Sequence, residues 1–212
     1  EAEKICAFDN EAPDVTIRVN TLKTNRKELK ELLEQAGVEV AEGRVSENAL
    51  HLTKTADLSR LEAFREGLFH VQDESSQLAV KILDPQKGES IMDMCAAPGG
   101  KSFTAAEQME NEGNLISCDI YEHKIELMEE GAERLGISMM ECKVKDAAEK
   151  EEEHELFDRI LVDAPCSGYG IIRKKPDIRY KDPADMERLP QLQLQILCEQ
   201  AEYVKPGGVL LY

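Results

Sequence analysis

Tryptophan is absent from this sequence of 212 residues, and aromatic residues together make up only 5% of it. No apolar run approaches the roughly 20 residues that a membrane-spanning helix needs, which argues against a membrane protein. The longest run, around residues 160–162, has the length of a strand. Residues 1–4 lead into no apolar stretch, so a secretory signal is not indicated. The missing initiator methionine suggests a piece of a longer protein.

Closely spaced cysteine pairs are also absent. The six cysteines are scattered, and without C-x-x-C spacing neither zinc nor another bound metal is expected. Scattered cysteines in a chain with no export signal are typical of reduced thiols, so we predict a cytoplasmic protein. The six are Cys6, Cys95, Cys118, Cys142, Cys166 and Cys198.

Positive charge is scarce, with 26 basic residues against 43 acidic ones and a net charge of −17 at pH 7. This balance argues against general nucleic-acid binding, which depends on Lys and Arg neutralising phosphates. The acidic run at 149–155 favours a solvated loop. Two local basic clusters could still hold RNA weakly. They comprise Arg18, Lys23, Arg26, Lys27 and Lys30 near the start, and Arg173, Lys174, Lys175, Arg179 and Lys181 in one loop.

The first part of the chain, residues 1–72, is predicted to form a small α+β unit. Asn25 can cap a helix that ends at Gly37, and a second helix is predicted over 58–66. Four short strands are predicted around them, at 15–19, 38–40, 49–52 and 68–71.

The second part, residues 73–212, alternates strands with helices. This order predicts an α/β unit with a parallel, Rossmann-like sheet covered on both faces. Ligands of such sheets bind at the carboxyl ends of the strands. The predicted strands are 90–94, 114–119, 138–144, 158–163 and 208–211, and the predicted helices are 75–83, 101–109, 123–135 and 184–203.

The segment 93–101, with sequence D-M-C-A-A-P-G-G-K, follows the first of these strands. Its small residues and two glycines let the backbone approach a ligand closely, and the following helix offers unpaired N–H groups. A tight strand–helix turn with no ligand is the alternative. The segment departs from G-x-G-x-x-G, which disfavours a dinucleotide site.

Acidic residues follow the next two strands. Asp119 could accept hydrogen bonds from both ribose hydroxyls of an adenosine, or it could simply cap the next helix. Asp146 could reach an adenine amino group, or it could be a surface aspartate beside the acidic run.

The segment 163–168, D-A-P-C-S-G, follows the fourth strand and presents the thiol of Cys166 on a rigid turn. The alternative is a small core cysteine, which is the commoner situation. The basic loop 171–178 comes directly after it. This loop could contact substrate phosphates, or it could be a solvated loop.

Together these motifs resemble the RNA 5-methylcytosine methyltransferases of the Sun/Nop2 family. The resemblance is carried by the segments 93–101, 163–168 and 173–178 (R-K-K-P-D-I), and also by 18–21 (R-V-N-T) and 71–76 (V-Q-D-E-S-S). It covers nearly the whole chain. Within the family, the sequence is most similar to the bacterial enzymes that act on 16S ribosomal RNA.

The resemblance implies S-adenosyl-L-methionine as the cofactor and RNA, most closely ribosomal RNA, as the partner. Asp119 would bind the ribose and Asp146 the adenine side. Asp163 would lie where donor and cytosine meet, near Lys101. The methionine and ribose part would be wrapped by Cys95, Ala96, Ala97, Pro98, Gly99, Gly100 and Lys101. The residues expected to contact RNA are Arg18, Arg173, Lys174 and Lys175, and the small first unit resembles the family's RNA-binding subdomain.

The chemistry of this family requires a thiol. A thiolate adds to C6 of cytosine, so that C5 can attack the methyl group, and removal of the C5 proton then expels the thiol. The target base must leave its stack first. The resemblance implies that Cys166, with Asp163 and Lys101, belongs to the catalytic site but assists release. The nucleophile would follow residues 207–212, so the chain as given is expected to be inactive.

Three readings stay open at this point. Cys166 could itself be the nucleophile, as in the DNA cytosine-5 enzymes. The substrate could be transfer RNA. The protein could also be a non-catalytic RNA-binding module with a vestigial pocket.

The resemblance also implies two further strands beyond residue 212 and a further helical domain before residue 1. The sheet would therefore be incomplete, with its fifth strand at an exposed edge. Exposed edges can pair with other chains, so we expect self-association. A monodisperse monomer in light scattering would contradict it.

Overall fold

The computed structural model describes residues 1–11, 13–53, 57–150 and 155–212. Of the predicted acidic run, residues 151–154 lie outside the described part. Two sheets organise the chain, an antiparallel one followed by a parallel one. We propose a domain boundary after residue 72, between the last antiparallel strand and the first helix of the parallel unit. In the described residues, no helix is long and apolar enough to cross a membrane.

The first unit has a β-α-β-β-α-β order after a short leading helix. Its antiparallel sheet has the strand order β2-β3-β1-β4. The Asn25 side chain accepts a hydrogen bond from the Glu28 backbone N–H (3.0 Å), as the cap prediction required. The elements are α1 (Ala2–Phe8), β1 (Val15–Val19), α2 (Arg26–Gln35), β2 (Glu39–Glu42), β3 (Ala49–Thr53), α3 (Glu62–Arg65) and β4 (Phe69–Val71).

Two features of this unit differ from the sequence prediction. The helix expected over 58–66 is a 3-10 turn, Leu58–Arg60, followed by α3, because Leu61 between them has an extended backbone. Helix α1 was not predicted. At seven residues it is too short for a hydrophobic period to be recognised in the sequence, and all its residues are exposed.

The second unit confirms the predicted α/β architecture. Its five strands are parallel, in the order β7-β6-β5-β8-β9. In the described part of the chain β9 pairs only with β8, so it is an edge strand as predicted. The elements are α4 (Glu74–Leu83), β5 (Ser90–Met94), α5 (Gly100–Gln108), β6 (Asn114–Asp119), α6 (Glu122–Leu135), β7 (Met140–Val144), β8 (Phe157–Val162), α7 (Leu189–Ala201) and β9 (Val204–Leu211).

The boundaries near the C-terminal end differ most from the prediction. The helix expected over 184–203 starts with a 3-10 turn, Pro183–Met186, and α7 begins only at Leu189. Strand β9 begins at Val204, four residues earlier than expected, and its pairing with β8 shifts register once. The basic loop contains two further 3-10 turns, Tyr169–Ile171 and Pro176–Tyr180.

Strand β5 divides its side chains between the two faces of the sheet. Ile91 packs in the cluster with Phe103 of α5, whereas Met92 and Met94 pack on the other side with Ile196 of α7. Successive side chains of a strand point to opposite faces. Asp93 therefore lies on the same face as Ile91, toward α5.

A buried ion pair joins the two units. Arg18 of β1 and Glu107 of α5 are each 3% exposed, and Arg18 Nε lies 2.7 Å from Glu107 Oε2. The prediction that Arg18 contacts RNA is therefore wrong, because its guanidinium is buried and held by a carboxylate. Burial raises the pKa of Glu107 to about 7, against the opposing effect of Arg18. His70 lies 3.5 Å from Glu107, but burial lowers the pKa of His70 to about 3, so the ring is neutral.

Further polar contacts cross the same junction. Asn20 Nδ2 donates to the carbonyl oxygens of Gly67 and Leu135, at 2.8 Å each. The Arg134 guanidinium of α6 donates to the Phe69 carbonyl oxygen (3.1 Å) and lies 4.0 Å from the Phe64 ring centroid. The antiparallel unit is thus bonded to both α5 and α6.

We predict that Arg18→Met lowers the free energy of unfolding by about 3–5 kcal/mol, because it leaves the Glu107 carboxylate buried without a partner. Urea denaturation measures this change. The double variant Arg18→Met/Glu107→Leu should recover most of the loss, since no charge then remains buried.

Arg26→Met is the matched control, because Arg26 pairs with Glu42 at 3.1 Å on the surface. Exposed pairs contribute about 1 kcal/mol or less. Equal losses for Arg18→Met and Arg26→Met would contradict the importance of the buried pair.

Candidate functional site

Polar side chains and a small-residue loop meet at the carboxyl edge of the parallel sheet. The loop 95–99 follows β5, Asp119 ends β6, Asp146 comes two residues after β7, and Asp163 directly follows β8. Because the strands are parallel, their ends lie along one edge, where ligands of such sheets bind. The structure thus confirms the strand-end placement on which the site prediction depended.

The backbone of the loop is tightly folded. Cys95 and Gly99 have positive φ angles of 62° and 97°. The Ala96 N–H donates to the Cys118 carbonyl oxygen of β6 at 2.8 Å. A Cβ added at Gly99 would lie 2.6 Å from the Phe103 ring. Gly99 is therefore required both by its backbone conformation and by the close approach of α5.

A cavity of about 150 Å³ opens beside this loop. Seven of the predicted site residues line it: Cys95, Ala96, Ala97, Pro98, Gly100, Lys101 and Asp163. The other side is formed by Val71, Gln72, Asp73 and Ser76, with Asp93 also in the lining. The lining does not include four of the predicted residues, Gly99, Asp119, Asp146 and Cys166. The cavity therefore covers only the part of the predicted site that lies beside the loop 95–99. A larger cavity of about 510 Å³ lies away from these strand ends.

Two ion pairs stand at the cavity. Lys101 Nζ lies 2.6 Å from Asp163 Oδ2, which confirms that these two predicted residues are neighbours. The carboxylate of Asp163 is largely exposed, whereas Lys101 is mostly buried. On the opposite side, Lys174 of the basic loop forms a short ion pair with Asp73.

Asp93 was part of a predicted motif, but it was not among the predicted site residues. It is 1% exposed, and its Oδ2 accepts a hydrogen bond from Ser102 Oγ at 2.6 Å. Ser102 Oγ in turn accepts one from Ser117 Oγ at 2.8 Å. Among the described residues, Oδ1 of Asp93 has no hydrogen-bond partner.

The electrostatics of Asp93 follow from this burial. Desolvation raises its pKa to about 7, although the Ser102 hydroxyl and the Lys101 charge oppose the rise, and the negative charge of Asp163 adds to it. An acceptor oxygen without a protein partner in a cavity wall is suited to a ligand donor. The apolar residues on both sides of Asp93 in β5 could have indicated its burial, but not its partners.

Gln72 was also missed. Its Nε2 donates to the Gly100 carbonyl oxygen, and its Oε1 accepts from Thr104 Oγ1, both at 2.8 Å. The side chain therefore links the end of β4 to the first turn of α5. Its only indication in the sequence is its place in the segment 71–76, which says nothing about these two partners.

The two adenosine-binding candidates differ in their surroundings. Asp119 is 5% exposed; it pairs with Lys124 (3.2 Å) and accepts from the Tyr121 N–H (3.3 Å). Asp146 is exposed, and its Oδ1 accepts from the Ala148 N–H at 2.9 Å. Both carboxylates thus support a local turn, and Asp119 is the more confined of the two.

Cys166 is exposed on the loop after β8, so its interpretation as a core cysteine is wrong. The loop is held by Gln193 Nε2, which donates to the Pro165 carbonyl oxygen at 2.8 Å. Other thiols near the strand ends are less available, because burial raises the pKa of Cys95 to about 12 and that of Cys142 to about 11.

The basic loop is less open than expected. The Arg173 guanidinium lies 3.8 Å from the Phe8 ring centroid, and its Nε donates to the Glu11 carbonyl oxygen at 3.3 Å. Lys174 is paired with Asp73, and Lys175 is exposed.

Comparison with known proteins identifies the family. The family described as 16S rRNA methyltransferase RsmB/F matches residues 80–212, and its RsmF/B-like ferredoxin-like domain matches residues 1–59. The chain belongs to the RsmB/F methyltransferase family.

Individual relatives agree. A Bacillus subtilis (strain 168) protein named "Probable ribosomal RNA small subunit methyltransferase B" is 46% identical to this chain. The match covers all of this chain and 48% of the length of that protein. The chain spans about half the length of the curated relatives it matches. The crystal structure of PH0851 is 36% identical with a TM-score of 0.94, over 99% of this chain and 48% of the other. The crystal structure of a methyltransferase homologue from Pyrococcus horikoshii is 30% identical with a TM-score of 0.84. That match covers 99% of this chain and 67% of the other.

The raised pKa of Asp93 predicts a pH-dependent contribution to the stability of this RsmB/F-family chain. The folded state keeps the proton up to about pH 7, whereas the unfolded state loses it near pH 3.8. The stabilisation is therefore present below about pH 4 and is lost as the pH rises through 7. Relative to the native chain, Asp93→Asn should gain about 2–3 kcal/mol in unfolding free energy between pH 5 and pH 8.

Urea denaturation at both pH values measures this difference. Asp158→Asn is the control, because the side-chain hydrogen bond from Lys205 lowers the pKa of Asp158. The contribution of Asp158 to the unfolding free energy is therefore lost only at acidic pH and is constant between pH 5 and pH 8. If native and Asp93→Asn stabilities changed in parallel, Asp93 would be ionised in the folded chain.

Proposed function

We propose that this chain carries the donor site of an S-adenosylmethionine-dependent methyltransferase that acts on C5 of a cytosine in RNA, with 16S ribosomal RNA as the substrate. One observation carries the proposal: the loop 95–101 lines a cavity, and the Lys101–Asp163 pair joins that loop to the strand end that leads to Cys166. Membership of the RsmB/F family supports it. With such a substrate and reduced thiols, we place the protein in the cytoplasm.

The residues at the carboxyl edge suit this cofactor, which supplies a methyl group on a positively charged sulfur. The small residues of the loop allow close approach of the backbone. In its ionised form, Asp93 could accept a hydrogen bond through its partnerless Oδ1 from an ammonium group in the cavity, and a bound ammonium would favour that form. Asp119 would accept hydrogen bonds from the ribose hydroxyls, and Asp146 from the adenine amino group.

Asp163 is suited to select the base. A carboxylate can accept a hydrogen bond from the exocyclic amino group of cytosine. Uracil presents a carbonyl oxygen at the same position, which a carboxylate would repel. Lys101, 2.6 Å from Asp163, would orient this carboxylate.

Cys166 would act after methyl transfer, by assisting release of the product from the nucleophilic thiol. It is an exposed thiol on the loop that begins at Asp163. The substrate phosphates would be held by Arg173, Lys174 and Lys175. Because Lys174 is paired with Asp73, RNA binding would exchange this carboxylate for a phosphate.

Calorimetric titration tests the donor site. We expect S-adenosylmethionine to bind the chain, and Asp119→Ala to weaken binding about 10- to 100-fold, because hydrogen bonds to a charged group contribute about 1.5–3 kcal/mol. Asp57→Ala is the matched control, since Asp57 caps a 3-10 turn in the first unit. Absence of binding to the folded native chain would refute the donor site.

A covalent trap tests the role of Cys166. Incubating the full-length protein with 5-fluorocytosine RNA and cofactor should give an adduct on a denaturing gel. Cys166→Ser should keep the adduct, because fluorine at C5 already blocks the proton removal that expels the nucleophilic thiol. Cys198→Ser, which alters an exposed thiol on α7, should leave the adduct unchanged. Loss of the adduct in Cys166→Ser would instead identify Cys166 as the nucleophile.

A further inference from the structure

The side chain of Tyr180 is unusually open. It is 88% exposed, whereas Tyr203 is 2% exposed in the core. A ring that open buries almost no surface and contributes little to the fold. Single exposed apolar residues are ordinary on protein surfaces, so the significance of Tyr180 depends on its surroundings.

The turn that carries Tyr180 is anchored on both sides of the ring. Ile178 is 6% exposed, and its Cδ1 is 3.2 Å from the position of a Cβ at Gly168. Arg179 donates to the Asp9 carbonyl oxygen at 2.7 Å, and Lys181 Nζ donates to the Ser167 carbonyl oxygen at 3.1 Å. The ring therefore projects from a fixed turn that lies against the residues next to Cys166.

The charge around the ring favours a polyanion. Residues 173–181 contain five basic residues and one acidic residue, in a chain whose net charge is −17. Ionic contacts alone would be weak, because the rest of the chain repels phosphates and Lys174 is already paired with Asp73. Stacking of a base on an aromatic ring adds affinity that does not depend on charge, and every base offers a stacking face.

We propose that Tyr180 is a stacking platform for a base of single-stranded RNA adjacent to the target nucleotide. This role rests on the proposed function, because a base flipped toward the strand ends leaves its neighbours unstacked. The exposed ring beside the Cys166 loop would hold one of those neighbours, while the flanking cations contact its phosphates.

The absence of tryptophan gives a direct test. Tyr180→Trp makes the chain a single-tryptophan protein whose fluorescence reports on that one position. Titration with a single-stranded oligocytidylate should quench this emission saturably. Inorganic polyphosphate, which can occupy the cations but has no bases, should not quench it. In a separate anisotropy assay with labelled RNA, Tyr180→Ala should weaken binding about tenfold, and Tyr180→Phe should bind like the native chain.

Leu127→Trp is the matched control, because Leu127 is 53% exposed on α6, and its emission should not respond to RNA. Equal quenching by RNA and polyphosphate, unchanged affinity in Tyr180→Ala, or no RNA binding at all would overturn the proposal. The cofactor titration is independent of these readouts. If RNA quenches Tyr180→Trp while S-adenosylmethionine fails to bind, stacking of an RNA base on this position stands, but the donor site and the target nucleotide placed beside it fail.

Discussion

The position of helix α5 is the constraint on which the candidate site depends. Its first residues continue the loop that lines the cavity, and it is fixed at three points. Gln72 holds its first turn from β4, Ser102 bonds it to Asp93 of β5, and Glu107 joins it to Arg18 of β1. A shift of α5 would break buried hydrogen bonds or leave a buried charge without its partner, and both cost free energy.

This arrangement gives the antiparallel unit a structural role at the candidate site. Two of the three fixed points, Gln72 and Arg18, come from that unit or its border with the parallel sheet. The unit therefore acts as a brace for the loop 95–101. Arg18 serves the site through α5, and it does so because it is buried, the opposite of the surface role that its charge suggested.

The sequence was informative where structure is local. The parallel strands are short apolar runs bounded by turn residues, and their ends carried the predicted aspartates to one edge. The misplaced features depend on distant partners. Arg18 meets Glu107, which is 89 positions away, and Asp93 accepts a hydrogen bond from Ser102 of α5, whose hydroxyl is in turn bonded by Ser117 of β6. Residue type and spacing along one segment contain no information about such pairings. Helix α1 was missed for a different reason, since seven residues are too few to show a hydrophobic period.

The acidity of the chain and its proposed RNA substrate are compatible at the level of individual pairs. Three ion pairs stand at the carboxyl edge: Lys101 with Asp163, Lys124 with Asp119, and Lys174 with Asp73. If both ligands bound here, the cationic methyl donor would face the carboxylates of these pairs, and the polyanionic RNA would face the lysines. Each protein charge then exchanges one ionic partner for another and is never left unpaired. The free-energy cost is therefore smaller than if either ligand had to bind beside unpaired protein charges of its own sign. The net charge of the whole chain then matters mainly for long-range repulsion, which salt screens within about 10 Å, whereas the contacts that hold the substrate are set by the few residues at this edge.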